Sequence, residues 1–304
     1  MIVLHLEIEV SKEGARTQHK LNVVDTERDH SASIVNENLH LGLDVCVPKS
    51  TMNKSPRTYN FYMVLPRYPS VNPTVLKCIL WRMIGRSRSF KADAQRLCAQ
   101  VRPGIHYKGL ENIDLPRPFV ITANHFARPG FSTAWIALSL SAALPGEVTW
   151  IMSNQWLFKG NPLAFIVRPL MRFVLKGINN AYSFVPMPTM IGGYSTPQER
   201  TSGVREAIRR MRENPRCILG ITPEGMDSPT GGLALPPAGV GRFLLHLQQM
   251  GVTMLPASVY EQQGILYVRF GESYQLEPPS GLPPAEVDMV IRKAVMGKIA
   301  ELIP

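Results

Sequence analysis

A histidine stands directly after a run of apolar and β-branched residues that is typical of a buried strand. The run covers Phe119–Ala123, and Asn124 and His125 follow it. In layered α/β proteins, ligands bind at the carboxyl ends of the parallel strands, so we expect His125 at such an edge. A neutral imidazole takes a proton from an alcohol near pH 7, which makes His125 a candidate general base. A structural histidine at a strand end is the alternative.

A second strand-end turn carries a carboxylate. The pattern Cys217–Ile221 predicts another buried strand, and Glu224 and Gly225 follow it within the segment Thr222–Ser228. A glycine after the carboxylate favours a tight turn, and we expect this turn at the same sheet edge as His125. The alternative is an ordinary turn between a strand and a helix, without a chemical role.

The elements that must position these two turns alternate between strand and helix patterns. This alternation predicts an α/β fold with a mostly parallel central sheet flanked by helices. A plausible helix N-cap is Ser132, and Gly177 is a predicted helix stop. The remaining predicted strands are residues 105–109, 148–152, 183–186, 253–259 and 266–270, and the predicted helices are residues 73–88, 131–144, 162–176, 197–212, 240–250 and 284–302.

The first part of the chain differs from the rest. Residues 1–72 are polar and mixed in charge, with prolines near the end, and we interpret them as a poorly ordered or accessory extension. A small accessory subdomain is the alternative. Residues 73–304 are the predicted α/β domain. The charged residues within Met1–Val10 interrupt the apolar run that a signal peptide needs, so we expect a cytoplasmic protein.

The charge balance favours anionic partners. The chain of 304 residues has 33 Lys and Arg against 23 Asp and Glu, a net charge of +10. The basic residues are spread out and accompany no nucleic-acid-binding motif, so we expect no nucleic acid as partner and keep such binding only as a generic third possibility. The 4 cysteines are scattered without a CxxC pair, which argues against a zinc site and a disulfide framework.

The two turns also occur in the order known from the PlsC-like lysophospholipid acyltransferases, and the chain resembles that family over residues 102–275. The resemblance rests on the joint order of short motifs at strand ends. They are Gly104–Asn112, Asn124-His125, Pro223-Glu224-Gly225 with Ser228, Pro237–Gly241, Leu255–Ser258 and Phe270–Glu272.

The resemblance implies an enzyme of phospholipid biosynthesis that works at membranes. His125 would deprotonate a hydroxyl of a lysophospholipid or related acceptor, which then attacks an acyl thioester on coenzyme A or acyl carrier protein. The family needs no metal or other cofactor. The residues that the resemblance assigns to substrate binding, together with the neighbouring arginine that we predict to bind an anionic group, are Asn124, Arg128, Glu224, Gly225, Ser228 and Pro256.

Three departures from the family pattern stand out. Gly130 occupies the position of the aspartate that normally orients the histidine, and Met226 and Asp227 replace a Thr-Arg pair whose arginine binds phosphate. The segment Ser183–Thr189 lacks the family's other arginine. Two functions remain open: an acyltransferase whose acid is Glu224, Asp227 or a water, and a catalytically impaired lipid- or thioester-binding relative.

Two apolar, basic helices favour an anionic membrane surface as a partner. Residues 73–88 interleave apolar pairs with cations, and the segment Leu163–Lys176 places Arg168, Arg172 and Lys176 on one helix face. Either helix can instead pack its apolar side on the domain and expose a basic edge. We therefore predict a protein that is peripheral at the inner face of the membrane.

Overall fold

The computed structural model of the chain describes residues 2–9, 18–25, 65–83, 86–153, 164–188, 196–226 and 232–304. The chain divides into two compact units, residues 1–65 with 230–232, and residues 66–229 with 233–304. In the first unit, strands β1 (Ile2–Glu9) and β2 (Gln18–Asp25) pair antiparallel. Most of residues 1–72 lie outside the described residues, so the accessory or poorly ordered nature of this region stays a prediction.

The second unit alternates strands and helices, as expected. Its strands are β3 (His106–Lys108), β4 (Phe119–Ala123), β5 (Val148–Ser153), β6 (Val185–Met187), β7 (Ile218–Ile221), β8 (Thr253–Gln262) and β9 (Ile265–Phe270). Its helices are α1 (Asn72–Met83), α2 (Phe90–Cys98), α3 (Ala134–Ala143), α4 (Ala164–Ala181), α5 (Pro197–Glu213), α6 (Val240–Gln249) and α7 (Pro284–Ala300).

These strands form one seven-stranded sheet in the order β3-β9-β8-β4-β7-β5-β6. The five strands β8, β4, β7, β5 and β6 run parallel, whereas β9 is antiparallel to β8 and β3 follows the direction of β9. The predicted α/β class with a mostly parallel sheet is confirmed. The central strands β4 and β7 are buried along their whole length, as their apolar sequences indicate.

Each face of the sheet has its own core. On one face, Phe119 and Ile121 of β4 pack with residues of α2 and α3. On the other face, Val120 packs with residues of α5, α6 and α7. The ring of Trp150 packs directly against Gly220, where a Cβ atom would lie 2.5 Å from the ring. Alternate residues of β4 thus point into opposite cores, which fixes the register of the strand.

The helices differ from the predictions in several details: α1 ends at Met83, before residue 88, and α2 was not predicted. Helix α3 begins at Ala134, so its N-cap is Thr133 and not Ser132. Helix α4 continues through Gly177, which is buried, to Ala181. Packing of the second half of α4 against the domain outweighs the low helix propensity of this glycine.

None of the helices in the described part of the chain is long and apolar enough to cross a lipid bilayer.

Candidate functional site

The two predicted turns leave the sheet side by side. Thr122 of β4 lies opposite Ile221 of β7, and the two strands run parallel. On the other side of β4, Ala123 lies opposite Ala257 of β8. The turns that begin at Asn124 and at Thr222 therefore start at the same carboxyl edge, where α/β folds bind their ligands.

Asn124 is fixed to the neighbouring strand through its side chain. It is buried, its amide nitrogen donates to the Val259 carbonyl at 2.9 Å, and its amide oxygen accepts from the Val259 N–H at 2.8 Å. The side chain thus continues the pairing of β4 with β8 by one more position. Both polar atoms thus bind the backbone and position the residue that precedes His125, and the predicted substrate-binding role of Asn124 stays a prediction.

Glu224 joins the two turns directly. Its Oε1 accepts the backbone N–H of His125 at 2.6 Å, and its Oε2 accepts the backbone N–H of Ala234 at 2.6 Å. The residue is only 1% exposed. The carboxylate therefore holds the His125 turn and the loop around Ala234 in place, and its predicted contact with an acceptor stays a prediction. His125 itself is half-buried.

The glycine after Glu224 allows this arrangement. Gly225 has a φ of +69°, a left-handed conformation that favours glycine, and its N–H donates to the Thr222 carbonyl at 3.0 Å. The turn is therefore tight, and it aims the Glu224 side chain inward. Gly225 is exposed, as is Met226. Ser228, predicted to bind substrate, and Asp227 lie outside the described residues.

Arg128 forms an ion pair that the sequence did not reveal. Its Nε and Nη2 donate to the two carboxylate oxygens of Glu261 in β8, both at 2.5 Å. The hydroxyl of Tyr68 donates to the same carboxylate at 2.5 Å. Burial and this hydrogen bond raise the pKa of Tyr68 well above its usual value. The guanidinium is therefore paired with Glu261 and ties the loop to β8, and the predicted binding of an anionic group by Arg128 stays a prediction.

Residue 130, where the family that the sequence resembles carries an aspartate, lies in a tight turn. Arg128 and Phe131 exchange backbone hydrogen bonds of 3.0 and 2.9 Å, with Pro129 and Gly130 between them. Gly130 has a φ of +83°, as expected for the third residue of a type II turn. A Cβ atom at residue 130 would lie 3.3 Å from Nη1 of Arg128. The glycine is thus required by the local backbone.

The loop after β7 has a second anchor in helix α7. Asp288 accepts the N–H groups of Gly239 and Arg242 at 3.0 and 2.9 Å, which caps the start of α6. Arg292 donates to the Pro236 carbonyl at 2.6 Å and pairs with Asp288. Both side chains are buried. The loop that supplies the Ala234 N–H to Glu224 is therefore held by α7.

Pro256, the last of the predicted substrate-binding residues, lies in β8 opposite Thr122 and is buried. It lines a cavity of about 210 Å³ together with Gly271, Tyr274 and Leu302. Neither His125 nor Glu224 belongs to the residues around this cavity. Pro256 is therefore not brought together with the other site residues by this cavity, and its role in substrate binding stays a prediction.

The assembled site places an imidazole at a sheet edge, on a loop fixed on both sides. Asn124, directly before His125, binds Val259 of β8, and Arg128 holds the loop after it. A histidine on such a loop can exchange a proton with a hydroxyl group. Glu261 and Tyr68 complete the site and were missed, because their partners lie far away along the chain.

Comparisons with known proteins find likenesses among solved structures alone. No protein-family model matches the chain, and no curated protein matches it. Among solved structures, it is similar to the 1-acyl-sn-glycerophosphate (LPA) acyltransferase PlsC from Thermotoga maritima, with a TM-score of 0.42 and 17% sequence identity over 70% of this chain and 78% of that chain. The function proposed below therefore depends on the residues of this chain.

Proposed function

We propose that this chain is an acyltransferase that moves a fatty acyl group from a thioester of coenzyme A or acyl carrier protein to a hydroxyl of a lysophospholipid or related acceptor. The observation that carries the proposal is the 2.6 Å hydrogen bond from the His125 N–H to the buried Glu224 carboxylate. It joins the two strand-end turns on which the resemblance to the acyltransferase family rests.

The proposed reaction uses His125 as general base. The imidazole takes the proton of the acceptor hydroxyl, and the oxygen attacks the thioester carbonyl. The tetrahedral intermediate then expels the thiolate, which receives the proton from the imidazolium. Acyl group and proton are thus exchanged between alcohol and thiol, and no further reactant is consumed.

The proposed mechanism also needs a group that stabilises the positive charge of the imidazolium. Gly130 carries no side chain, and the two oxygens of Glu224 accept backbone N–H groups. The candidates from the sequence are Glu224, Asp227 and a water, since each carboxylate oxygen of Glu224 can accept a second hydrogen bond. Glu224→Gln and Asp227→Asn distinguish them, since only the loss of a direct carboxylate partner makes the rate fall by orders of magnitude.

Acyl transfer is the direct test. The full chain is incubated with radiolabelled acyl-CoA or acyl carrier protein and a panel of lysolipids, beside His125→Ala and the control His246→Ala, a histidine in α6. We expect transfer by the parent chain and the control, and a loss of about 100-fold or more in His125→Ala. An unchanged rate in His125→Ala would overturn the proposed role of this residue.

A catalytically impaired lipid- or thioester-binding protein is the second candidate, and Gly130 favours it. The backbone at this residue is left-handed, so the loop is built without the usual acid. Binding of acyl-CoA or a lysolipid without turnover, in every donor and acceptor combination, would favour this candidate over the enzyme.

We also propose that the protein binds an anionic membrane surface from the cytoplasmic side. Helix α1 packs against α4, and together they expose four large apolar side chains with 49% to 59% of their surface accessible: Leu76, Leu80, Leu170 and Phe173. Lys77, Arg172 and Lys176 are exposed on the same two helices. Apolar side chains beside cations favour the interface of anionic lipids. We call this region the α1–α4 surface.

Vesicle sedimentation tests the α1–α4 surface. We expect the full chain to bind phosphatidylglycerol-containing vesicles more strongly than pure phosphatidylcholine vesicles. Leu170→Glu with Phe173→Glu should abolish the binding, whereas the control Leu282→Glu, at a residue that is 40% exposed, should not. Equal binding of both variants would contradict the proposal.

A further inference from the structure

Three adjacent strands at one end of the sheet present a row of aromatic side chains. His106 of β3 lies opposite Tyr267 of β9, and Tyr267 lies opposite Tyr260 of β8. Residues in register on neighbouring strands point to the same face of a sheet. The neighbouring residues of β9, Leu266 and Val268, belong to the core on the other face. The three rings therefore line the face opposite to that core.

The rings form a continuous surface. Those of Tyr260 and Tyr267 are stacked, with centroids 5.4 Å apart and planes inclined by 12°. The imidazole of His106 meets Tyr267 edge-on at 5.4 Å. His106 is exposed and both tyrosines are half-buried, so part of each ring system faces solvent. We call these three residues the aromatic row.

Cations lie beside the aromatic row. Lys108 and Arg269 are opposite each other in β3 and β9, two residues further along each strand. The ammonium of Lys108 lies 5.2 Å from the centre of the Tyr267 ring. Arg269 donates to the Leu302 carbonyl at 3.1 Å, which holds its guanidinium over the sheet. Flat aromatic surfaces beside cations are the combination that binds a base with its phosphates.

The aromatic row also adjoins the candidate site. Strand β8 continues beyond Ala257, the last residue that pairs with β4, and Asn124 binds the backbone of Val259. Tyr260 is the next residue. The row therefore starts on the part of β8 that holds the residue before His125.

We propose that the aromatic row, Lys108 and Arg269 bind the nucleotide portion of a coenzyme A thioester. The base extends the stack of Tyr260 and Tyr267 on the side of Tyr260, and the phosphates bind the two cations. The flexible arm of the coenzyme then carries the thioester past the end of β4 to His125. This inference rests on the proposed acyl transfer, and it selects coenzyme A over acyl carrier protein as the donor.

Binding of the isolated nucleotide tests the inference without any turnover. Adenosine 3′,5′-bisphosphate is titrated into the full chain by isothermal calorimetry. We expect Tyr267→Ala to weaken binding about tenfold, as for the loss of one stacking partner, and Tyr267→Phe to retain it. Lys108→Ala should weaken binding and its salt dependence, while the control Lys293→Ala, exposed on α7, should bind like the parent chain. Thermal melting checks that each variant is folded.

The outcomes separate this inference from the proposed function. Acyl transfer from acyl-CoA with a KM that Tyr267→Ala leaves unchanged overturns the nucleotide site and leaves the enzyme intact. Nucleotide binding that depends on Tyr267, in a chain without acyl transfer, supports the site and overturns the enzyme. Equal binding of inorganic phosphate, or a Tyr267-dependent preference for an oligonucleotide of thymidines, overturns the nucleotide proposal, because the first needs no base and the second assigns the face to nucleic acid.

Discussion

The loop after β4 and the loop after β7 leave the same edge of the sheet but are held by different parts of the molecule. Side chains on both sides of His125 tie the first loop to β8, through Asn124 and through Arg128. The second loop is held by helix α7, through Asp288 and Arg292. Glu224 is the contact that joins the two loops.

This difference shows how the histidine loop keeps its shape without an acid at residue 130. The anchors act through the neighbouring strand, and the Pro129–Gly130 turn closes the loop with backbone hydrogen bonds alone. The surroundings of His125 are thus determined by residues outside its own motif. Substitutions at Glu224, Glu261, Gly130 and Glu206 test this comparison.

Removal of Glu224, the contact that joins the two loops, should lower the stability of the protein most. In Glu224→Ala, the N–H groups of His125 and Ala234 lose their charged acceptor inside the protein, so we expect the free energy of unfolding to fall by about 3 kcal/mol. Glu224→Gln should lose about half as much, because one acceptor oxygen remains. Urea denaturation measures both, with the exposed Glu277→Ala as control. A loss no greater than in the control would show that the loops are held independently.

Removal of the anchor on β8 should have a smaller effect, confined to the first loop. The Arg128 and Glu261 side chains are only 19% and 10% exposed, and Glu261→Gln leaves the guanidinium without a matching charge. We expect a loss of about 2 kcal/mol in the free energy of unfolding. A double-mutant cycle with Arg128→Met measures the coupling. Additive single effects would indicate that the pair does not anchor the loop.

An aspartate at residue 130, as in the family that the sequence resembles, should not increase acyl transfer. Gly130→Asp places a side chain on a left-handed residue, so we expect a loss of about 1 kcal/mol in stability and no gain in acyl transfer. Gly104→Asp is the matched control, since a Cβ atom there has no neighbour within 4 Å. A faster reaction in Gly130→Asp would show that the loop adapts to a carboxylate at this position.

The exposed ion pairs of Glu206 show how much less such a contact contributes to stability than the buried pair of Arg128 and Glu261. Hydrogen bonds from Arg209 and Arg210 lower the pKa of Glu206 to about 2. Because this value is below that of the unfolded chain, the contribution to stability is present above about pH 4.3 and is lost as the pH falls towards 2. With Arg209 54% exposed, we expect less than about 1 kcal/mol. Acid denaturation should therefore differ little between Glu206→Gln and the parent chain, and a difference above 2 kcal/mol would contradict this expectation.

The sequence was sufficient to predict the sheet and the edge at which the two turns meet. Strand β4 begins and ends at the predicted residues, because a short apolar, β-branched run between polar turns is unambiguous. The ends of helices were harder to predict. Glycine commonly ends a helix, but tertiary packing extends α4 beyond Gly177. The short helix α2 has a weak apolar pattern and was not predicted.

The contacts that hold the site could not be predicted. Arg128 was expected to bind an anionic group because it lies close to His125 in the sequence, but its partner Glu261 lies 133 residues away and could not be foreseen. The resemblance assigned Glu224 to an acceptor, but its burial and backbone partners depend on the loop around Ala234. Side-chain pairing across the sheet follows from strand order and register, which local patterns do not contain.

The length of β8 determines which of its side chains face the histidine loop. In the outer half of the strand, Val259 and Glu261 contact the histidine loop. Tyr260, which lies between them, points to the opposite face. A single residue inserted after Ala257 would exchange the two faces and place the tyrosine against the loop. Insertions and deletions within this strand should therefore be eliminated during evolution.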